Sequence, residues 1–262
     1  MHVSLSSPCY VISDAHLGFA HDEIERSLLS FLGELPGRAG SLLINGDLFE
    51  FWFEWKRVIP RHSYRVVAAL ADLRERGLPI LMIAGNHDCW GGSFLRDDVG
   101  IGYEIGPWEG SIAGWRARVE HGDGLRARED RRYRALRRVL RNGLAIRAFR
   151  LLHPDFASSL AMRSSHASRT YGARDGGRGL RQVAEASLST RPDIELLLYA
   201  HSHVPALERM SPGQVYANAG SWLSDRTFLR VSPERVELRR WDGSADGVHL
   251  DAADRVTEKA LS

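Results

Sequence analysis

Cysteine is scarce: Cys9 and Cys89 are the two in 262 residues, and they have no CxxC spacing. That excludes a disulfide framework and a thiolate zinc site, and fits a reducing compartment. Lysine is nearly missing as well, since Lys56 and Lys259 leave almost all of the 35 cationic side chains to arginine. No uncharged apolar run reaches the roughly 18 to 20 residues that a membrane-spanning helix needs. The opening MHVSLSSPCYVIS puts no Lys or Arg ahead of an apolar stretch, so no secretory leader is read and a cytoplasmic protein is expected. Repeats and low-complexity tracts are also missing, apart from the arginine enrichment.

What is present is ordinary in bulk: 44% hydrophobic, 26% charged and 9% aromatic residues. Such values exclude disorder, collagen-like repeats and a disulfide-stapled miniprotein. The net charge of +2 hides a strong asymmetry, because Leu125 to Arg181 hold 15 arginines against 4 acids and leave the rest of the chain acidic.

Short apolar runs at Tyr10–Ile12, Leu42–Ile44, Ile80–Ala84 and Leu196–Tyr199 are too brief for helices and read as buried strands. Between them, Ile24–Leu35 and Tyr64–Arg76 carry apolar residues at 3 to 4 residue spacing and stop at Pro36 and Gly77. Alternation of this kind predicts an α/β layered fold. After Gly124 the pattern turns helical, with one apolar line through Tyr133, Leu136, Leu140 and Leu144, a break at His153-Pro154, and a short helix over Phe156–Ser168. The expected organisation is a core of residues 1–124 and 180–262 with an arginine-rich helical cap, 125–179, inserted in it. Beyond Val215 the chain is expected to be all-β, ending in a polar tail of about a dozen residues.

The chemistry sits just after the strands. Tyr10–Ile12 runs into Asp14 and His16, Leu42–Ile44 into Gly46-Asp47, and Ile80–Ala84 into Gly85-Asn86-His87-Asp88. Arg116–Glu120 runs into His121-Gly122-Asp123, and Glu195–Ala200 into His201-Ser202-His203. In open α/β sheets such strand ends share one crevice. Any single Asp or Asn there reads as a turn. Seven together (Asp14, His16, Asp47, Asn86, His121, His201, His203) are costly to bury without a cation. Imidazole with carboxylate and amide oxygen suits Mn, Fe, Zn, Ni or Co. Seven ligands exceed one such ion, and Asp47 is the natural bridge between two, which activate water for phosphoryl displacement without a Ser or Cys nucleophile.

In this order the five segments resemble the calcineurin-like metallophosphoesterase superfamily over about residues 9 to 222. The resemblance implies a four-layer β-sandwich flanked by helices, with one ion on Asp14, His16, Asp47 and His203 and a second on Asp47, Asn86, His121 and His201. It makes His87 the group that stabilises developing negative charge or protonates the leaving oxygen, with Asp88 orienting its ring. Ser13-Asp14-Ala15-His16-Leu17-Gly18, Gly46-Asp47-Leu48-Phe49-Glu50-Phe51-Trp52 and a helical insert directly after His121-Gly122-Asp123 are similar to the UDP-2,3-diacylglucosamine diphosphatase family of the lipid A pathway. That implies cleavage to UMP and 2,3-diacylglucosamine 1-phosphate by a metal-bridging hydroxide, usually with manganese. It also implies a cap that holds acyl chains and seats the enzyme on the cytoplasmic face of the inner membrane. Departures are Ala200 and Ser202 for the usual Gly and Thr, and His87, as in the wider superfamily, where the best-known diphosphatases carry Arg.

Besides Asn86 and His87, the expected substrate contacts are Arg163, Ser165 and Arg169, where the cap returns to the site, and Trp52 in the aromatic run Phe51–Trp55, which otherwise reads as a structural cluster. Asn218 and Gly220-Ser221-Trp222 are expected to support the metal loop. A soluble nucleotide or another phosphoester is the alternative substrate. Nucleic acid is disfavoured, because the body is acidic and the insert lacks aromatic-basic interleaving.

Overall fold

The computed structural model describes residues 5–127, 129–169 and 175–255, with the side chains at 132 and 163–169 outside the description. The first half runs β1 (Cys9–Ile12), α1 (Asp22–Glu34), β2 (Ser41–Asn45), α2 (Tyr64–Glu75), β3 (Ile80–Ile83), β4 (Gly102–Glu104), β5 (Trp108–Ile112) and β6 (Trp115–Val119). Four helices follow: α3 (Arg131–Leu140), α4 (Gly143–Arg150), α5 (Pro154–Arg169) and α6 (Arg178–Ser189). The chain then adds β7 (Leu196–Tyr199), β8 (Ala206–Ser211), β9 (Gln214–Asn218), β10 (Thr227–Val231), β11 (Arg235–Arg240) and β12 (Val248–Asp254).

Two sheets result, one in the order β12-β11-β10-β1-β2-β3-β4 and one in the order β5-β6-β7-β9-β8. β1 to β4 are parallel, as are β6, β7 and β9. Leu42 and Ile44 face α1 and α2, whose Leu28, Phe31, Val66 and Leu70 cover them. Leu43, between them, faces the second sheet with Val11 and Leu81, against Trp115, Val119 and Leu198. Helix α6 covers the far side of the second sheet through Leu180, Ala184 and Leu188. The order helix, sheet, sheet, helix is the expected four-layer sandwich. It also explains the unbroken apolar runs: a central strand covered on both faces has no polar side to alternate with. Leu43, fully buried between the sheets, is expected to cost about 3 kcal/mol on change to Ala. The midpoint of denaturant unfolding reads this, and an unchanged midpoint contradicts the packing described.

Some elements depart from expectation. β4, β5 and β8 have no long apolar run, since β5 (WEGSI) and β8 (ALERMS) are sheet edges with partly exposed side chains. β12 occupies the start of the expected polar tail, its residues pairing with β11 from Asp254 back to Val248. The apolar line through Leu144 is interrupted: Asn142 ends α3 and caps α4, its side-chain oxygen accepting from Leu144 N at 2.9 Å and Ala145 N at 3.3 Å. Pro154 breaks one helix and begins the next, at the first position where its missing N–H costs nothing.

Candidate metal centre

The carboxyl ends of five strands from both sheets meet at one crevice. β1 delivers Asp14 and His16, β2 Asp47, β3 Asn86 and His87, β6 His121, and β7 His201 and His203. Leaving the strands into this crevice strains the chain. Seven described non-glycine residues have positive φ, and five of them are Asp14 (52°), His16 (47°), Asp47 (50°), His201 (62°) and His203 (58°). Such conformations cost on the order of 1 to 3 kcal/mol each and cluster at functional sites. The loops also approach closely: a Cβ on Gly46, itself at φ 82°, would lie 2.3 Å from His121 Nδ1.

Three sets of ligand atoms lie within 4.8 Å of one another: Asp14, His16 and His203; Asp47, His121 and His201; and His16, Asp47 and His87. The first two fall within the two sets expected from the sequence, and Asp47 stands in the second and the third. The imidazoles are held in place by their neighbours. His121 Nδ1 donates to the Asn45 carbonyl at 2.9 Å, and its Nε2 lies 3.1 Å from Asp47 Oδ2. His16 Nδ1 donates to Glu50 Oε2 at 2.9 Å, and its Nε2 lies 3.2 Å from His203 Nε2. Asn86 Oδ1 is buried with no hydrogen-bond partner, while Asp14 Oδ1 faces His203 Nε2 at 3.3 Å and His121 Nε2 faces Asp47 Oδ2 at 3.1 Å. Orphaned acceptors of this kind are expensive, and divalent cations are what this donor set satisfies.

Burial works against ionising Asp47, yet His121, His87 and His16 around it hold its carboxyl well below the usual range. Asp14 is lowered in the same way, with burial opposing and His203 favouring the anion. Burial and the neighbouring His121 push His201 down to about 4, so its ring is neutral at physiological pH.

The outer contacts correct two expectations. The His87 ring donates from Nδ1 to the Glu50 carbonyl at 2.9 Å, while Asp88 accepts from Gly85 N (2.7 Å), Leu48 N (2.8 Å) and Phe49 N (3.4 Å). Asp88 therefore ties the β2 and β3 loops together, and the Glu50 backbone orients the ring. Burial and the Asp47 charge raise the Asp88 carboxyl to about 7. Trp52 is no substrate contact here: it is fully buried, stacked on Phe49 at 4.4 Å, with its indole N–H on Glu54. Phe51, Phe53 and Trp55 turn the other way and form the seat of α4 and α5 with Phe149 and Ala157. Extended chain presents alternate residues to opposite faces, which splits the aromatic run. Arg163, Ser165 and Arg169 have side chains outside the described residues. The Gly220–Trp222 turn does brace the first loop, with Ser221 Oγ donating to Asp14 O (2.9 Å) and Trp222 N to Ser13 O (3.0 Å).

Glu50 is a site residue that sequence reasoning missed, although a carboxylate inside the run LFEFWF signals a buried acid with an obligatory partner. Its carboxylate holds His16 and its carbonyl holds His87. Outer groups of this kind contribute about 10- to 100-fold in metal affinity. Glu50→Ala should therefore weaken manganese binding by that factor in a calorimetric titration, and an unchanged affinity would sink this role.

A family model described as calcineurin-like phosphoesterase matches residues 7–205. A UDP-2,3-diacylglucosamine hydrolase of Porphyromonas gingivalis is 28% identical over 221 residues, covering 76% of this chain and 84% of its own. The enzyme of that name from Pectobacterium carotovorum is 26% identical over 234 residues, 87% of this chain and 96% of its own.

Proposed function

Since the chain belongs to the calcineurin-like phosphoesterase family and is a hydrolase, we propose that it cleaves the diphosphate of UDP-2,3-diacylglucosamine to UMP and 2,3-diacylglucosamine 1-phosphate. The observation that carries the lipid half of this reading is the cap beside the metal loops. Ile146, Phe149, Leu152 and Ala157 dock it on Phe51, Phe53 and Trp55, a few residues past Asp47. Yet Leu136, Val139, Leu144, Leu151, Phe156 and Leu160 stay exposed, half of the large exposed apolar side chains among the described residues. Apolar surface interleaved with arginine suits acyl chains and an anionic bilayer surface. No helix among the described residues is long and apolar enough to cross a membrane.

Two divalent ions, manganese being the proposed pair, supply when bound an activated water and a Lewis-acid clamp on the phosphoryl oxygens. Asp14, His16, Asp47 and His203 hold one, and Asp47, Asn86, His121 and His201 the other. Glu50 fixes His87 so that its Nε2 lies 4.0 Å from Asp47 Oδ2, at the edge of the crevice. The ring there stabilises charge growing on the phosphoryl oxygens. A departing phosphate monoester has a second pKa near 6 and leaves without needing a proton, so charge stabilisation is the part of His87 that matters for a diphosphate.

That reasoning supports a second reading, hydrolysis of a phosphodiester. Imidazole can pass a proton at neutral pH and guanidinium cannot, and an alkoxide leaving group needs one. Comparing kcat/KM for UDP-2,3-diacylglucosamine in detergent micelles with that for a chromogenic diester separates the two. A preference of about a hundredfold or more for the lipid nucleotide is expected, equivalent to about 2.7 kcal/mol. Equal or reversed values overturn the lipid assignment in favour of the diester.

A further inference from the structure

The third residue of His121-Gly122-Asp123 has no place in either ion seat. Asp123 is nonetheless buried, two positions from His121, and its side-chain partners come from the cap. Its Oδ2 accepts from Tyr133 Oη at 2.7 Å and lies 3.3 Å from Arg137 Nε and 3.6 Å from Arg141. Its carbonyl accepts from Arg137 at 3.1 Å. These three donors lie on α3 or at its end. A second tie runs from the same helix to the β3 loop, where Trp90 Nε1 donates to the Leu140 carbonyl at 2.9 Å, four residues past Asn86. Helix α3 is thus fastened to both loops that would supply Asn86 and His121 to the second ion.

We propose that the cap and the second ion seat are thermodynamically coupled through Asp123, a positioning residue; the inference rests on the two-ion reading of the site. If α3 moves away, Asp123 loses these donors together, and the loop that carries His121 loses its anchor to the cap. The His121 loop and the cap therefore favour the same state. Coupling between sites is reciprocal: an ordered cap tightens the second ion, and the second ion orders the cap.

Charge alone predicts the opposite sign for one variant, which makes the proposal testable. Arg137 is a cation near a cation seat, so Arg137→Gln should tighten ion binding if only charge matters. Coupling predicts that it loosens. Tyr133→Phe removes one hydroxyl without changing charge, so it should leave affinity unaltered by charge and weaken it by coupling.

The experiment titrates metal-stripped full-length protein with manganese chloride by calorimetry, with hydrogen exchange of α3 followed in parallel. The wild type should take up two ions, and the second seat is identified as the one His201→Ala abolishes. Both cap variants should lose about 10- to 100-fold in affinity at that seat, as for outer-sphere partners generally, and much less at the other. Manganese should protect α3 amides in the wild type more than in Tyr133→Phe. A lower melting temperature with unaltered second-seat affinity makes Asp123 merely structural and overturns the coupling. Tighter binding in Arg137→Gln overturns it in favour of charge. Failure of the wild type to take up two ions overturns the two-ion reading itself, and is distinguishable because it appears before any variant is made.

Discussion

Asp47→Asn is expected to lower kcat/KM at least a thousandfold, about 4 kcal/mol of transition-state stabilisation, while the far-ultraviolet circular dichroism stays that of the wild type. The size follows from position. Asp47 Oδ2 lies 3.1 Å from His121 Nε2 and 4.0 Å from both His16 and His87 Nε2, so one carboxylate faces both proposed seats. Asparagine keeps the shape and the acceptor for His87 N, which is 2.9 Å from Oδ1, but removes the shared negative charge. Loss of activity together with loss of bound ion separates this from a folding defect. A folded variant within tenfold of wild-type activity would remove Asp47 from the centre of the mechanism.

Gly85→Ala should produce a loss of a hundredfold or more from a single methyl group that no ligand carries. A Cβ there would stand 2.1 Å from Asp47 Oδ1 and 2.6 Å from Asp47 N. Rotating the carboxylate relieves only the first contact, because the backbone nitrogen belongs to a loop held by the Asp14 N to Gly46 O and His16 N to Asp47 O bonds, 3.1 and 3.0 Å. The β2 and β3 loops must therefore separate, and the proposed ligands they carry separate with them. Manganese titration and steady-state kinetics on the same preparation check this; two ions bound at wild-type affinity would show that the close approach of the loops is not needed.

The clustering of Asp14, His16, Asp47, His121, His201 and His203 was legible in the sequence because chemistry and topology coincide there. A short apolar run followed at once by Asp, Asn or His is a strand end, and parallel strands deliver their ends to one edge. The same logic placed the strands at 10–12, 42–44, 80–84 and 196–199 within one or two residues of those observed. Edge strands escaped notice because β5 and β8 owe their existence to pairing with β6 and β9, not to their own composition. Trp52 was misplaced for a different reason: composition marks an aromatic run, while the direction of each ring depends on alternation within an extended segment. Glu50 and Asp123 are acids whose partners lie 34 residues back at His16 and 10 to 18 residues ahead at Tyr133, Arg137 and Arg141. Such pairings depend on tertiary approach, and a single sequence carries only the hint that a charge sits where it will be buried.

The most direct test of the account is UMP release from UDP-2,3-diacylglucosamine in detergent micelles by chelator-stripped protein, with and without added manganese and with bound metal counted on the same sample. The account predicts no release from the stripped protein, and release restored as occupancy approaches two ions per chain. Full turnover by stripped protein, or ions that bind without restoring any phosphoester cleavage, would contradict it.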